Sequence, residues 1–370
     1  MRVLFVAHLW DGSTSLQRMQ SLESLGLTIL PFDLTGYSNG SSIERSLLGR
    51  FNYGRSIGLL NEDLIAFAQS HHFDALWVDN GVWVYPATVT VVRALSTMQL
   101  AIHSTPDAQI IDNRSRHFIN SIPHYDLLVT TKPFELDLYR RLGAKDTLLI
   151  LQGYGQRLTD LPHSALAGVR LSSEICFIGH FQNHYRDRIR AVSRLGANLK
   201  VWGPRWPRYA RYRYWLCPIV QGDGLWGDDY PRALHATKIA LGLLGKHIPE
   251  TTTTRTFEIP ATGTFMLAER TKDHQSLFEE GKEAEFFSDD EELVEKVRFY
   301  LDNDGARQAI ASAGRERCFR SGYDTASQLH RVLAHLERNH GIAGLIHSRQ
   351  LTMKPGRRID TARFSMSDRP

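Results

Sequence analysis

The chain has 370 residues, 42% hydrophobic and 23% charged, with a formal net charge of +4 at pH 7. That length suits two domains, because single cores stop growing beyond roughly 250–300 residues, and the composition is that of a globular protein. The whole +4 lies in residues 341–370, where six Lys/Arg stand against two Asp, so residues 1–340 are neutral and general nucleic-acid binding is excluded.

The first half alternates strand and helix. Residues 3–7 read as a buried strand, too short for the core of a signal peptide. A polar loop at 11–15 follows, whose small residues allow close backbone approach to a ligand. Residues 16–25 have apolar spacing of a helix, stopped by Gly26, and 27–32 form the next strand. A helical stretch from about 41 to 70, broken near 52–54, leads to short strands at 75–78, 99–103, 127–130 and 147–151. Such alternation gives a parallel sheet covered by helices on both faces. Residues 152–172, with Gly153, Gly155, Pro162 and Gly168, read as a linker. The alternation then restarts: a strand at 174–178, a helix at 185–195, and strands at 199–202, 239–244, 264–267 and 284–287. Ser288 with Glu291 forms a capping box for a helix to Leu301. Two more helices run from 303/304 to about 320 and from about 324 to 338. The expected architecture is therefore α/β: two doubly wound Rossmann-like lobes, 1–151 and 173–340, facing across a cleft at the carboxyl ends of both sheets, where ligands bind in such folds. Residues 341–370 read as a basic, disordered tail.

Three scattered cysteines, Cys176, Cys217 and Cys318, make neither a disulfide framework nor a zinc knuckle and fit a reducing cytoplasm. No apolar run approaches the roughly 20 residues that span a bilayer. Phosphate-cradling glycine loops, a His-Glu-x-x-His pair and an Asp-x-Asp metal motif are all missing from the sequence. The expectation is a site without metal or cofactor.

The strongest chemical signal is the segment 250–264. Glu250 and Glu258 stand eight apart just before a short strand; in a helix that spacing is a little over two turns and puts both carboxylates on one face. Paired carboxylates can hold sugar and ribose hydroxyls, and the adjoining helix start, with Thr254 and its neighbours supplying hydroxyls, suits a pyrophosphate. A solvated helix face would show the same two residues. Arg255 between them can contact phosphate, orient Glu258, or form a plain ion pair.

This region resembles the glycosyltransferase domain of spore maturation protein CgeB-like proteins, related to the family 4 glycosyltransferases. The residues that carry the resemblance run from Thr254 through Gly263, then Leu267-Ala268-Glu269-Arg270-Thr271, Glu283 through Phe287, and Ile310-Ala311 with Gly314-Arg315. Pro106-Asp107, Tyr125-Asp126 and Thr130-Thr131-Lys132-Pro133 extend it into the first half. The resemblance implies a GT-B fold, a nucleotide-sugar donor, a retaining mechanism and an acceptor that is a glycan, a protein or a small molecule. It places Glu258 on the ribose and Glu250 by the transferred sugar. It departs at Gly153-Tyr154-Gly155, where relatives often carry an aspartate after the tyrosine.

From 186 to 213 nine Lys/Arg stand against one acid, Asp187, interleaved with tryptophan and tyrosine. The strand before it ends at Gly179-His180, and in related enzymes a basic group after that strand touches the donor pyrophosphate, which singles out Arg186. Trp202 and Gly203 fall where the nucleotide base would stack. Most of the arginines read equally as solvated, and the aromatic run 206–215 reads as an acceptor platform, a patch for peripheral membrane contact, or core packing. Lys238, before the strand at 239–244, is a further candidate for the phosphate, or else a strand-edge lysine. In the first lobe His103 ends a strand, where related enzymes use a histidine on the donor sugar and where a core histidine is the alternative; Asp107 in the next loop can bind acceptor hydroxyls. The competing functions are a nucleotide-sugar epimerase on the same fold and a non-catalytic nucleotide-sugar-binding module.

Overall fold

The structure, a computed structural model, describes residues 1–38, 52, 54–111, 114–159 and 170–342. Most of the expected helix before residue 55, half of the linker and nearly all of the basic tail lie outside the described residues. The chain forms two units, Met1–Gln152 with the segment from Thr325 onward, and Gly153–Asp324.

The first unit runs β1 (Arg2–Ala7), α1 (Thr14–Ser24), β2 (Thr28–Asp33), α2 (Arg55–Ser70), β3 (Ala75–Asp79), α3 (Pro86–Leu95), β4 (Leu100–Thr105), α4 (Arg116–Ser121), β5 (Leu127–Thr130), α5 (Glu135–Arg141) and β6 (Thr147–Leu149). Its sheet is six-stranded in the order β2-β1-β3-β4-β5-β6, with every pairing parallel. Both faces are covered, which is why its strands read as continuous apolar runs rather than alternating ones. Leu4, Val6, Leu76 and Val78 point to the helices α2 and α3, while Val3, Phe5 and Trp77 point to the opposite layer. Ser13 caps α1, its Oγ accepting from the Leu16 N–H at 3.1 Å, so the helix starts two residues before the expected position.

The second unit runs β7 (Ser173–Ile178), α6 (Asn183–Ser193), β8 (Leu199–Trp202), α7 (Trp206–Ala210), β9 (Val220–Gly222), α8 (Asp229–His235), β10 (Thr237–Gly242), α9 (Arg255–Ala261), β11 (Phe265–Glu269), α10 (Lys272–Leu277), β12 (Glu285–Phe287), α11 (Asp290–Asp302) and α12 (Asp304–Arg320). Its six strands lie in the order β12-β11-β10-β7-β8-β9, again all parallel. Strand β9 was not expected: Val-Gln-Gly holds a single apolar residue, so no apolar run marks it. The cap of α11 is shifted by one. Asp289, not Ser288, accepts from the Glu292 N–H at 2.9 Å, and Glu292 reaches back to the Ser288 N–H at 2.8 Å.

The last helix, α13 (Thr325–His340), corrects the expected boundary of the second lobe. Its apolar stripe, Leu329, Val332, Leu333 and Leu336, is buried against Val3, Phe5 and Leu22 of the first unit. Periodicity shows that a helix has an apolar face but not which sheet will cover it. Among the described residues no helix is long and apolar enough to cross a membrane.

Candidate functional site

In a parallel sheet every strand ends at the same edge, so the loops after β7, β8, β10 and β11 gather at one place. Strands β7 and β8 come closest there. Gly203 has φ of +151° and lies so near Gly179 that a Cβ would collide with the Gly179 carbonyl oxygen; a side chain at Gly203 would force the two loops apart. The Trp206 indole N–H donates to that same carbonyl at 2.9 Å. Arg255, the first residue of α9, reaches across the ends of two strands: its guanidinium donates to the carbonyls of Ile178 at 3.2 Å and Leu243 at 2.9 Å, and it lies over the Phe177 ring at 5.4 Å. A Cβ on Gly179 would stand 2.8 Å from the Arg255 Nη1, so the absent side chain makes room for the guanidinium. Neutral carbonyls leave the charge of Arg255 uncompensated by these bonds.

The expected shared helix face of the two glutamates is not what the chain forms. Glu250 lies in the loop before α9 and only Glu258 is helical. Proline at 249 and the threonine run behind it disfavour helix, so the helix cannot begin until 255. Glu250 instead folds back on the end of β10, its Oε2 accepting from the Gly245 N–H at 2.8 Å. Glu258 is 8% exposed and its Oε2 accepts from the Tyr230 hydroxyl at 2.6 Å. Burial pushes its carboxyl up to about 7, against the opposing pull of the Tyr230 hydrogen bond and the Arg255 charge. The same burial raises the Tyr230 phenol, so that it stays a hydroxyl donor. Thr254 precedes α9 as its cap residue but makes no side-chain cap bond.

Other candidates fall elsewhere. Lys238 is near the amino-terminal start of β10, the edge of the sheet away from Gly179, and pairs with Glu174 at 3.2 Å; strand direction excludes it from the glycine-rich edge. The lysine that does lie past the end of β10 is Lys246, ion-paired with Glu269 of β11, whose other oxygen accepts from the Leu244 N–H at 2.9 Å. Tyr230 and Lys246 both went unmarked in the sequence. Lys246 had a signal, since a residue after a parallel strand lies at the ligand edge and one at its start does not. Tyr230 had none, being 28 residues from Glu258.

Arg186 is on α6 and is held by its neighbour Asp187, with Nε at 2.9 Å from the carboxylate; Arg188 pairs with Asp290 of α11. Trp202 is buried with 3% exposure and belongs to the core rather than to an open stacking surface. The aromatic run divides. Trp206 is fully buried and Tyr209 stacks on Phe181 at 3.6 Å, whereas Tyr212 and Tyr214 project into solvent, 77% and 96% exposed.

In the first unit His103 has no exposed surface, packs against Phe118 at 4.5 Å and Tyr125 at 5.2 Å, and is driven by burial down to about 3, so it is a neutral ring in the core. Asp107 is half-buried in the loop after β4, its N–H bonded to Thr105 Oγ1 at 3.0 Å and its carboxylate 3.4 Å from Asn80 Nδ2. Ser15, expected in the loop after β1 but in fact in the first turn of α1, donates inward to Asp79 at 2.6 Å, where Arg18 also pairs at 2.6 Å. A small cavity at this end of the unit is lined by Arg18, Ser104, Pro106, Gln152 and Gln328 among others.

Residues 184–334, somewhat less than half of the chain, match the family described as "Glycosyl transferase-like". Among curated protein sequences none matches significantly. Solved structures share the fold across 91% of this chain: Anabaena HepE in complex with UDP-glucose, at 13% identity, TM-score 0.63 and 100% of that chain, and sucrose-phosphate synthase from Thermosynechococcus elongatus, at 14% identity, TM-score 0.64 and 99% of that chain. A Listeria monocytogenes protein assigned as a UDP-N-acetylglucosamine 2-epimerase also matches, at 12% identity and TM-score 0.52, over 94% of this chain and 98% of its own. The fold is thus that of two-lobed GT-B enzymes, with a glycosyl-transferase-like segment that covers most of the second unit and the start of α13.

Proposed function

From a chain with the GT-B fold and a glycosyl-transferase-like segment, we propose a glycosyltransferase of the CgeB-like type that moves a sugar from a uridine-diphosphate donor to an acceptor hydroxyl with retention and without a metal. The observation that carries the reading is Glu258. It is a buried carboxyl held by one phenol on the helix whose first residue, Arg255, spans the strand ends beside Gly179. Such a carboxyl can accept from ribose hydroxyls once a donor arrives. The backbone of Gly179 and Gly203 leaves room for a diphosphate, and Arg255 with Lys246 supplies the positive charge that a metal supplies elsewhere. The sugar–diphosphate bond breaks, the acceptor oxygen bonds the anomeric carbon on the same face, and the leaving diphosphate takes the acceptor's proton. HepE, whose structure holds UDP-glucose, supports a uridine donor only by likeness of fold. The lack of a long apolar helix among the described residues fits work in the cytoplasm, with any membrane contact peripheral.

The test separates the two glutamates. Glu258→Gln should weaken UDP binding about ten- to a hundredfold, the worth of a hydrogen bond to a charged group. Glu250→Gln should spare UDP binding and lower turnover, as expected of a group felt mainly in the transition state. Calorimetry with UDP and single-turnover rates give both numbers; equal and negligible effects would reduce the pair to structural glutamates. Turnover should also survive a chelator, and complete loss in EDTA restored by manganese would remove the metal-free part. The epimerase reading keeps one observation, the shared fold of the Listeria protein; a product formed from UDP-sugar with no acceptor present would select it.

A further inference from the structure

We propose that the first unit carries a zinc site formed by Asp146, His335 and His340, which clamps the last helix to the edge of the sheet. The three side chains are the one group of His, Cys, Asp and Glu among the described residues whose ligand atoms converge, all lying within 4.8 Å of one another. Asp146 sits in the turn before β6, with its backbone carbonyl bonded to the Leu128 N–H at 3.0 Å and its Oδ1 accepting from the Thr147 N–H at 2.8 Å. That fixes the carboxylate and turns Oδ2 towards α13. Both imidazoles approach that one oxygen through Nε2, His335 at 2.6 Å and His340 at 3.1 Å.

The arrangement suits a cation for three reasons. Tetrahedral zinc with bonds of about 2.0–2.1 Å needs ligand atoms roughly 3.3 Å apart, so a modest outward shift of the two rings admits the ion. Two imidazoles and a carboxylate are the donor set zinc prefers over magnesium or calcium, and three protein ligands leave a fourth position for water. One support of the ligands is also in place, since Thr147 holds the carboxylate's other oxygen, while the Asn339 amide, 3.1 Å from His335 Nε2, would give up that contact to the ion. The helix itself is anchored, because Leu333 and Leu336 on either side of His335 are buried. His335 and His340 stand five apart, a spacing that diverges on a continuing helix; His340 is the last helical residue, where the chain can bend its ring back towards Asp146.

The experiment uses the full chain without an affinity tag, stripped with a chelator and titrated with zinc chloride by calorimetry, with thermal melting in parallel. One zinc per chain should bind and raise the melting temperature. Asp146→Asn and His340→Gln should each weaken that binding at least tenfold and remove the rise. Cobalt added instead should give the visible bands of a four-coordinate ion in the parent and not in either variant. His340→Gln changes only the last residue of the helix, so it should fold even if Asp146→Asn does not. Zinc binding that is equal in the parent and His340→Gln, or no binding below about 100 times the protein concentration, overturns the site.

Discussion

Asp79 in the first unit and Glu258 in the second are both buried carboxylates beside a parallel sheet, and they are held in opposite states. Asp79, fully buried at the end of β3, accepts from Arg18 through both of its oxygens, from Ser15 and from Ser104. Burial alone would raise it, but the charge and hydrogen bonds of Arg18 outweigh that and hold it below the usual carboxylate range. Glu258 has a phenol for a partner, and burial wins. The difference separates structure from readiness. A carboxylate whose hydrogen bonds are complete holds its unit together, and one left near neutrality is available to a ligand that brings its own donors.

The largest expected effect breaks the first of these. Arg18→Met leaves Asp79 buried without a counter-charge, and losing one partner of a buried pair costs roughly 3–5 kcal/mol. Urea unfolding should show that loss; a change under about 1 kcal/mol would mean that Ser15 and Ser104 suffice to keep Asp79 ionised.

Glu258 should behave in the reverse sense. Its folded value of about 7 lies above the ordinary 4.5, so the native state holds the proton more tightly than the unfolded chain. Stability from this group is therefore full at low pH and is lost as pH rises through that window. Glu258→Gln removes the titration and should stabilise the ligand-free protein by about 3 kcal/mol at pH 8 and by under about 1 kcal/mol at pH 5. The same variant should bind nucleotide worse, the trade expected where a site is kept at the expense of stability. In the parent protein UDP affinity should rise between pH 6 and pH 8 as the carboxylate forms; in Glu258→Gln it should be flat. A parent profile with no rise would show that the carboxyl is not what the nucleotide meets.

Much of the fold was legible because parallel sheets covered on both faces write continuous apolar runs, and among the described residues eleven of the twelve strands in the two sheets were expected from the sequence. What failed to show was anything set by the other end of a long contact. The apolar stripe of α13 could face either sheet; Tyr230 acquires its role only when α8 is laid near α9. His103 could be read as a sugar ligand or as a core residue, and the rings of Phe118 and Tyr125 that enclose it come from a later helix and the turn after it. For the glutamate pair the spacing was right and the helix was not, because proline and β-branched residues kept Glu250 out of it.

The comparison of the two lysines around β10 makes the smallest prediction and isolates strand direction. Lys238 and Lys246 lie at opposite ends of the strand, and their side chains are 41% and 55% exposed, each paired with a glutamate. The Lys238–Glu174 pair is exposed and contributes up to about 1 kcal/mol; Glu269 is buried but keeps the Leu244 N–H when Lys246 is removed, so neither substitution should disturb the fold. Position alone distinguishes them. Lys246 shares an edge with Gly179, Gly203 and Arg255, where the diphosphate is proposed to lie, so Lys246→Ala should weaken UDP binding by roughly two- to fivefold, the scale of one exposed charge contact. The loss should shrink as salt is raised, because the interaction is screened. Lys238→Ala should leave affinity unchanged at every salt concentration. If Lys238→Ala weakens binding as much as Lys246→Ala, the effect is one of general positive charge and the nucleotide is not held at the carboxyl edge.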